Sequence, residues 1–182
     1  RQYQEEDFRL DYEYRRFYSA YDQLEETAAF EPLRDLVENI YTNEYLEALL
    51  PKWNAAIQEP DAFMALPLQR DFYARNLKNA KERTVVIISD AMRYEVGKEL
   101  FRRMQDDPKC TAKLEVQLSV LPSYTRLGMA ALLPHAELTM TDDFKVLIDG
   151  MPCDNLAERE AVLHKYSKDS TCVQFDNIKS LK

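Results

Sequence analysis

A run of four apolar β-branched residues, Val85 to Ile88, leads into the carboxylate of Asp90 and constrains the fold of this chain more than any other feature. Val and Ile favour strands, and an unbroken apolar run is typical of a strand buried on both faces of a parallel sheet. The pattern changes after Asp90, because apolar residues then recur at helical spacing from Tyr94 to Met104. The stretch therefore predicts a buried strand, a turn that carries an acid, and a helix.

The sequence on the two sides of this run predicts two kinds of structure. Residues 1–80 show the apolar spacing of helices, with Pro32 where a first helical turn would accept it. Residues 81–182 alternate between strand and helix patterns, which is typical of an α/β fold with a mainly parallel sheet. The segments AKLEVQLSVLP, FKVLIDG and STCVQFD are the further predicted strands. We therefore expect a helical region at 1–80 followed by an α/β region at 81–182.

Composition argues against several classes of protein. The 182 residues carry 32 acidic and 24 basic side chains, and a net charge of -8 argues against a generic nucleic-acid-coating surface. The three cysteines form no CxxC pair, so we expect reduced thiols in a cytoplasmic protein rather than a disulfide framework. No apolar run approaches the length of a membrane span. The chain begins without Met in a helical pattern, so we expect it to be part of a longer protein.

Two oxygen-bearing side chains follow neighbouring predicted strands. Asp90 ends the first strand, and Thr125 lies just past the second, 35 positions later, which is the length of one βαβ unit. If that unit is parallel and right-handed, both side chains lie at one sheet edge, where open α/β sheets bind ligands. A carboxylate there suits a metal ion, and a hydroxyl at a helix start suits a phosphate. The alternative is that each residue only caps the helix after it.

Arg93 and Arg126 each follow one of these two residues closely. A guanidinium binds a phosphate through two parallel hydrogen bonds, so both arginines are candidates for contact with a substrate phosphate. Pairing with one of the many carboxylates of this acidic chain is the alternative. The motifs GxGxxG, GxxxxGK, HExxH and GxSxG do not occur, and the two histidines lack metal-pair spacing.

The segments that carry these residues resemble a known family. VVIISDAMRYEVGKEL and LPSYTRLGMAALLPH are similar to the motifs of the PglZ family of BREX phage-defence systems, which resembles the alkaline phosphatase superfamily. The two motifs cover about 30 residues, and their 35-position spacing also matches. The resemblance implies part of an alkaline-phosphatase-like α/β core. It implies that Asp90 is a metal ligand and that Thr125 is both nucleophile and metal ligand.

The same resemblance implies a function for a longer parent protein. It implies a metal-dependent phosphatase or phosphodiesterase, with zinc as the expected cation and manganese or magnesium as alternatives. The resemblance also implies phosphoester or nucleic-acid substrates, and it implies other BREX proteins as partners. In the superfamily the remaining Asp and His ligands lie further toward the C-terminus, and this chain ends at Lys182 without an Asp-His pair. We therefore expect this stretch alone to be inactive and to hold a metal ion only weakly.

A non-catalytic alternative stays open at this stage. The helical region and the partial core could form an interaction module of the defence complex, docked through a tyrosine-rich stripe at Tyr14, Tyr18 and Tyr21. A truncated sheet would also leave an unpaired strand edge, through which the chain could dimerise.

Overall fold

The structure is a computed structural model, and it describes residues 2–59 and 66–180. Seven α-helices lie within the described residues: α1 (Phe8–Tyr21), α2 (Glu31–Asn39), α3 (Glu47–Ala56), α4 (Phe72–Asn76), α5 (Tyr94–Gln105), α6 (Thr125–Ala131) and α7 (Leu156–His164). A π-helical turn, Tyr3–Asp7, leads into α1, and another, Ile40–Leu46, joins α2 to α3. Pro32 lies in the first turn of α2, as the sequence predicts. No helix in the described part of the chain combines the length and apolar character that crossing a membrane requires.

The chain divides into two compact units. The first comprises residues 2–59 and 92–116, and the second comprises residues 66–91 and 117–180, as far as the chain is described. These units are defined by contacts, whereas the predicted division after residue 80 concerns the type of secondary structure. That division stays a prediction.

In the first unit, a partly buried ion pair joins α1 to α5. The Nε atom of Arg15 lies 2.6 Å from Oε1 of Glu95, whose residue is only 1% exposed. Phe8 on α1 also packs edge-on against Tyr94 on α5, with ring centroids 5.7 Å apart. A carboxylate removed from water is costly unless a cation pairs with it, so the Arg15–Glu95 pair restricts how α1 and α5 pack.

The predicted tyrosine-rich stripe bonds to carboxylates within the chain. Tyr14 and Tyr18 both donate to Oε2 of Glu38, at 2.7 and 2.6 Å. Tyr41 stacks on Tyr14 with ring centroids 3.7 Å apart, and it donates to Oδ1 of Asp11 at 2.6 Å. These contacts hold α1 against the α2 region through paired hydroxyls and carboxylates rather than through an apolar core.

In the second unit, α6 and a small sheet enclose the apolar core. The strands β1 (Leu138–Met140), β2 (Val146–Ile148) and β3 (Met151–Pro152) pair antiparallel in the order β1-β2-β3. A two-residue turn with positive φ, 50° at Asp149 and 77° at Gly150, joins β2 to β3, as the right-handed twist of hairpins favours. The buried core consists of Leu127, Ala130, Leu133, Val146, Ile148, Cys153 and Val162.

The mixture of helices and strands is confirmed, but the mainly parallel sheet is not. Residues 84–89 belong to no strand, and Val85 and Ile87 are 70% and 73% exposed. The predicted strand at 112–122 forms only an isolated parallel bridge, between Leu68 and Leu118. A strand of four large apolar residues needs neighbours on both edges and layers on both faces, and the described residues do not provide them.

Two other predicted strands have different outcomes. FKVLIDG contains β2, but the partners of β2 are antiparallel, because tight turns connect this segment to its neighbours. STCVQFD contains no strand, and a 3₁₀-helix begins at Phe175 instead. The helices predicted after Asp90, around Thr125 and at 156–166 are present as α5, α6 and α7.

The Arg15–Glu95 ion pair yields a stability prediction. We expect R15A to lower the free energy of unfolding by about 2 kcal/mol, since it leaves the Glu95 carboxylate buried without a charged partner. Urea denaturation measures the change. R16A is the matched control, because the Arg16 side chain is 69% exposed and lies 3.7 Å from Glu13. Equal effects of R15A and R16A would contradict the role assigned to the pair.

Candidate functional site

Asp90 lies in a tight turn four residues before the first residue of α5. Its Oδ1 accepts a hydrogen bond from the backbone N–H of Ala91 at 2.9 Å. Ala91 has a φ of 54°, an uncommon conformation for alanine that often marks functional turns. No other described residue bonds the exposed Asp90 side chain, so its second oxygen is accessible to a ligand.

Thr125 is the first residue of α6, and its side chain is exposed. The inner face of the helix is held by Leu127 and Ala130, which are buried in the core. At 100° per residue, Thr125 lies away from that face. Its hydroxyl makes no hydrogen bond with the described part of the chain, so it is accessible to a ligand.

The capping alternative is wrong for both residues. The N-cap of α5 is Arg93 rather than Asp90, and the N-cap of α6 is Tyr124 rather than Thr125. Neither helix start has a side-chain cap hydrogen bond. Structural capping therefore does not explain why an acid and a hydroxyl occupy these positions.

Asp90 and Thr125 belong to the same compact unit, although no hydrogen bond or ion pair joins them. Among residues 2–59 and 66–180, no group of three or more His, Cys, Asp or Glu side chains could hold a metal ion. One carboxylate and one hydroxyl fall short of the four or more ligands that protein metal centres use. The described residues do not fit a complete metal centre by themselves, and metal binding at these two positions stays a prediction.

The two candidate phosphate-binding arginines belong to different compact units. Arg93, in the first unit, has an exposed side chain. Arg126, in the second, places Nη1 3.6 Å from Oδ2 of Asp154 and remains 51% exposed. The alternative of pairing with an acid is therefore realised for Arg126. One long contact leaves most of its five N–H donors accessible to another partner.

Asp154 is a partner of the candidate residue Arg126 that sequence reasoning missed. Its Oδ1 is buried and has no hydrogen-bond partner within the described residues. Its backbone is fixed, because its N–H donates to Glu158 at 2.8 Å and its carbonyl accepts from Arg159 at 3.0 Å. A capping box between Asn155 and Glu158 starts α7 directly after it. The spacing of Asn155 and Glu158 signals that helix start, but nothing local predicts the approach of Arg126.

Asp149, by contrast, is occupied by structural hydrogen bonds. Its Oδ1 accepts from the backbone N–H groups of Glu137 at 2.7 Å and Ala136 at 3.0 Å, and its Oδ2 accepts from the Tyr166 hydroxyl at 2.9 Å. The Glu137 N–H and then the Tyr166 hydroxyl hold the pKa of Asp149 below its ordinary value. This carboxylate therefore fixes the loop between α6 and β1.

This network yields a prediction with a defined pH dependence. We expect Y166F to raise the pKa of Asp149 toward its ordinary value, because the phenol bonds the ionised carboxylate. A depressed pKa adds stability at neutral pH, and that stability disappears as pH falls through the folded-state pKa. Y166F should therefore be less stable than the native chain at pH 7, with a difference that shrinks below about pH 4. Carboxyl NMR titration and urea denaturation measure both effects.

Y12F is the control, because the Tyr12 hydroxyl makes no hydrogen bond with the residues described. An unchanged Asp149 pKa in Y166F would contradict the role of the phenol.

Comparison with known proteins identifies the family. Residues 71–182 match the BREX system PglZ alkaline phosphatase-like domain. The chain is 39% identical over 179 residues to the alkaline phosphatase-like protein PglZ of Bacillus cereus (strain H3081.97), a match that covers 94% of this chain and 21% of the relative. It is 36% identical over 178 residues to the alkaline phosphatase-like protein BrxZ of Escherichia coli O9:H4 (strain HS), covering 90% and 21%. No solved structure matches significantly.

The chain thus spans about one fifth of the length of the curated relatives it matches. The family match itself covers more than half of the chain and includes both predicted site positions, Asp90 and Thr125. The chain therefore belongs to the PglZ family of alkaline phosphatase-like domains from BREX systems.

Proposed function

We propose that this chain is part of a metal-dependent phosphatase or phosphodiesterase of bacterial phage defence, in which Thr125 is the nucleophile and Asp90 is a metal ligand. The main support for the proposal is the accessible Thr125 hydroxyl. Thr125 is the first residue of α6, and its hydroxyl has no partner among the described residues. Membership of a family named for its likeness to alkaline phosphatase supports the reaction class.

In the proposed reaction, Oγ1 of Thr125 attacks the phosphorus atom of a phosphoester. The bond between phosphorus and the leaving oxygen breaks, and the leaving group departs as an alcohol, taking up one proton for the one that the Thr125 hydroxyl gives up to solvent. Water then attacks the phosphothreonine, which releases phosphate, or a phosphate monoester from a diester, and restores the threonine hydroxyl. A divalent cation, with zinc expected and manganese or magnesium as alternatives, would favour the ionised hydroxyl. Asp90 and Thr125 would contribute two ligands, and the others would come from the part of a full-length protein that this chain does not span.

Arg126 is the better supported of the two phosphate-binding candidates. It follows Thr125 directly in α6, is 51% exposed, and makes one ion pair of 3.6 Å with Asp154. Consecutive residues of a helix point about 100° apart, so Arg126 would have to use the length of its side chain to reach a phosphate at Thr125. We retain Arg93 as the second candidate, and we propose phosphoester or nucleic-acid substrates.

The nucleophile is tested in a protein of the relatives' full length that carries this segment. We expect T125A to lower phosphodiesterase activity at least about 10³-fold, because a nucleophile cannot be replaced by a methyl group. Hydrolysis of bis-p-nitrophenyl phosphate with added zinc, manganese or magnesium measures the effect. T139A, at an exposed position of β1, is the control and should stay active. Full activity of T125A would remove Thr125 as the nucleophile.

We also propose that residues 84–89 form one strand of a larger, mainly parallel sheet in the full-length protein. Val85 and Ile87 are 70% and 73% exposed, and Val86 and Ile88 are 41% and 44% exposed. In a strand, these two pairs point to opposite faces, so both faces lack cover. Burying that surface would stabilise the protein by roughly 25 cal/mol per Å² of apolar area. The alternative is a second copy of the chain paired along the open edge.

I87K tests the larger sheet. In the full-length protein we expect it to lower the free energy of unfolding by about 3 kcal/mol, since it buries a charge between two layers. In the isolated 182-residue chain we expect a change below about 0.5 kcal/mol, because Ile87 is exposed there. Equal effects in both proteins would contradict the proposal. An isolated chain that elutes as a dimer in size-exclusion chromatography, and as a monomer with I87K, would favour the second copy.

A non-catalytic interaction module is the second candidate. Val96, Leu100 and Met104 recur every four residues on α5 and are 47%, 48% and 37% exposed, which gives that helix an open apolar face. Such a face suits a protein partner, and other cytoplasmic BREX proteins are the partners we propose. Absence of phosphodiesterase activity in the unsubstituted full-length protein with each added metal, together with co-purification of BREX proteins, would favour this module over the enzyme.

A further inference from the structure

We propose that Gln69 is a positioning residue for Thr125, an inference that rests on the proposed function. The Gln69 side-chain amide binds the backbone on both sides of Thr125. Its Nε2 donates to the carbonyl of Gly128 at 3.0 Å, and its Oε1 accepts from the N–H of Val120 at 3.1 Å. One amide therefore closes the nine-residue segment 120–128, which has Thr125 in its interior.

Gln69 is itself held in place by backbone pairing. Its N–H donates to the carbonyl of Leu118 at 2.8 Å, and the N–H of Leu118 donates to the carbonyl of Pro67 at 2.8 Å. These bonds form the isolated parallel bridge between Leu68 and Leu118. The Gln69 side chain thus extends from a segment whose backbone is already paired with Leu118, a few residues before Thr125.

The two partners also determine the orientation of the amide. A carbonyl faces Nε2 and an N–H faces Oε1, so a flipped amide would place like groups together and lose both bonds. The amide also lies beside Gly128, since a Cβ added there would be in ordinary van der Waals contact with Nε2, at 3.5 Å. This complementarity makes the contact specific for glutamine.

The core holds only the two ends of the stretch between Val120 and the start of α6. Val120 and Tyr124 pack against the core, whereas Leu121 is 58% exposed and Ser123 is exposed. The two hydrogen bonds of Gln69 therefore add a restraint on this stretch that apolar packing supplies only in part. A nucleophile must stay aligned with the phosphorus atom, and a misplacement of about 1 Å can cost roughly 10²-fold in rate. Gln69 precedes residues 71–182, so the family match does not include it.

The test compares Q69M with Q117M in a protein of the relatives' full length. Methionine keeps the length of the side chain but can make neither hydrogen bond, and Gln117 is an exposed residue that makes no hydrogen bond within the described chain. We expect Q69M to lower kcat at least about tenfold. KM should stay within about twofold and Tm within about 2 °C of the Q117M values. A purely structural role would lower Tm and leave kcat per folded molecule unchanged, and that result would overturn the inference.

Q69E is the second variant, for use if Q69M does not fold. Glutamate still accepts from Val120 but turns an anionic oxygen toward the Gly128 carbonyl, so we expect a loss of kcat of similar size. The inference is overturned if the variant that folds, Q69M or Q69E, has the same kcat as Q117M.

T125A, assayed alongside, separates this inference from the proposed function. If T125A is inactive and Q69M is fully active, only the positioning role of Gln69 fails. If T125A is fully active, the proposed function fails. Hydrogen exchange at the Val120 amide then tests whether the Gln69 side chain restrains segment 120–128. We expect that exchange to speed up about tenfold in Q69M but not in Q117M, since one hydrogen bond is lost. An unchanged exchange rate at the Val120 amide in Q69M would contradict the restraint by Gln69.

Discussion

Leu127 and Ala130 on α6 share one buried cluster with Val146 and Ile148 on β2, and the second unit depends on this apolar contact. The contact fixes which face of α6 turns inward and, through the helical repeat, leaves Thr125 at the exposed end of the helix. The hairpin turn after β2 then places Asp149, whose hydrogen bonds tie down the loop that follows α6. A small core therefore leaves the Thr125 hydroxyl exposed, and Asp149 serves to fix the loop that follows α6.

The first unit depends on polar and ring contacts rather than on a buried apolar cluster. No residue of α1, α2 or α3 is buried. The contacts of α1 with other segments include hydroxyl-carboxylate hydrogen bonds, one ion pair and ring contacts. Glu38 accepts from two tyrosines, Asp11 accepts from Tyr41, and Glu95 pairs with Arg15. Part of the acidic excess of the chain thus serves as hydrogen-bond acceptors between helices. Such contacts are individually modest, and the buried Glu95 is the position where losing a partner costs most.

Sequence patterns identified the helices well and the sheet poorly. A helix is detected from its own residues, because side chains three and four positions apart share a face, and α5 and α7 begin and end close to their predicted bounds. A strand is completed by partners elsewhere in the chain, so VVII indicates a buried strand only where those partners are present. The described residues contain none for that segment. The short turns around β2 also favoured antiparallel pairing over the crossover that the alternation of strands and helices predicts.

The sequence by itself determined the helices, the position of Asp90 and Thr125 after apolar segments, and the resemblance to PglZ, which the family match confirms. These are properties of residues close together in the chain or of motifs read along it. Only the tertiary structure decided that Glu95 is buried against Arg15, that Asp154 pairs with Arg126, and that Gln69 bonds both sides of Thr125. The physical reason is sequence separation: each of these contacts joins residues 28 to 80 positions apart, and no local pattern encodes which distant polar groups will meet.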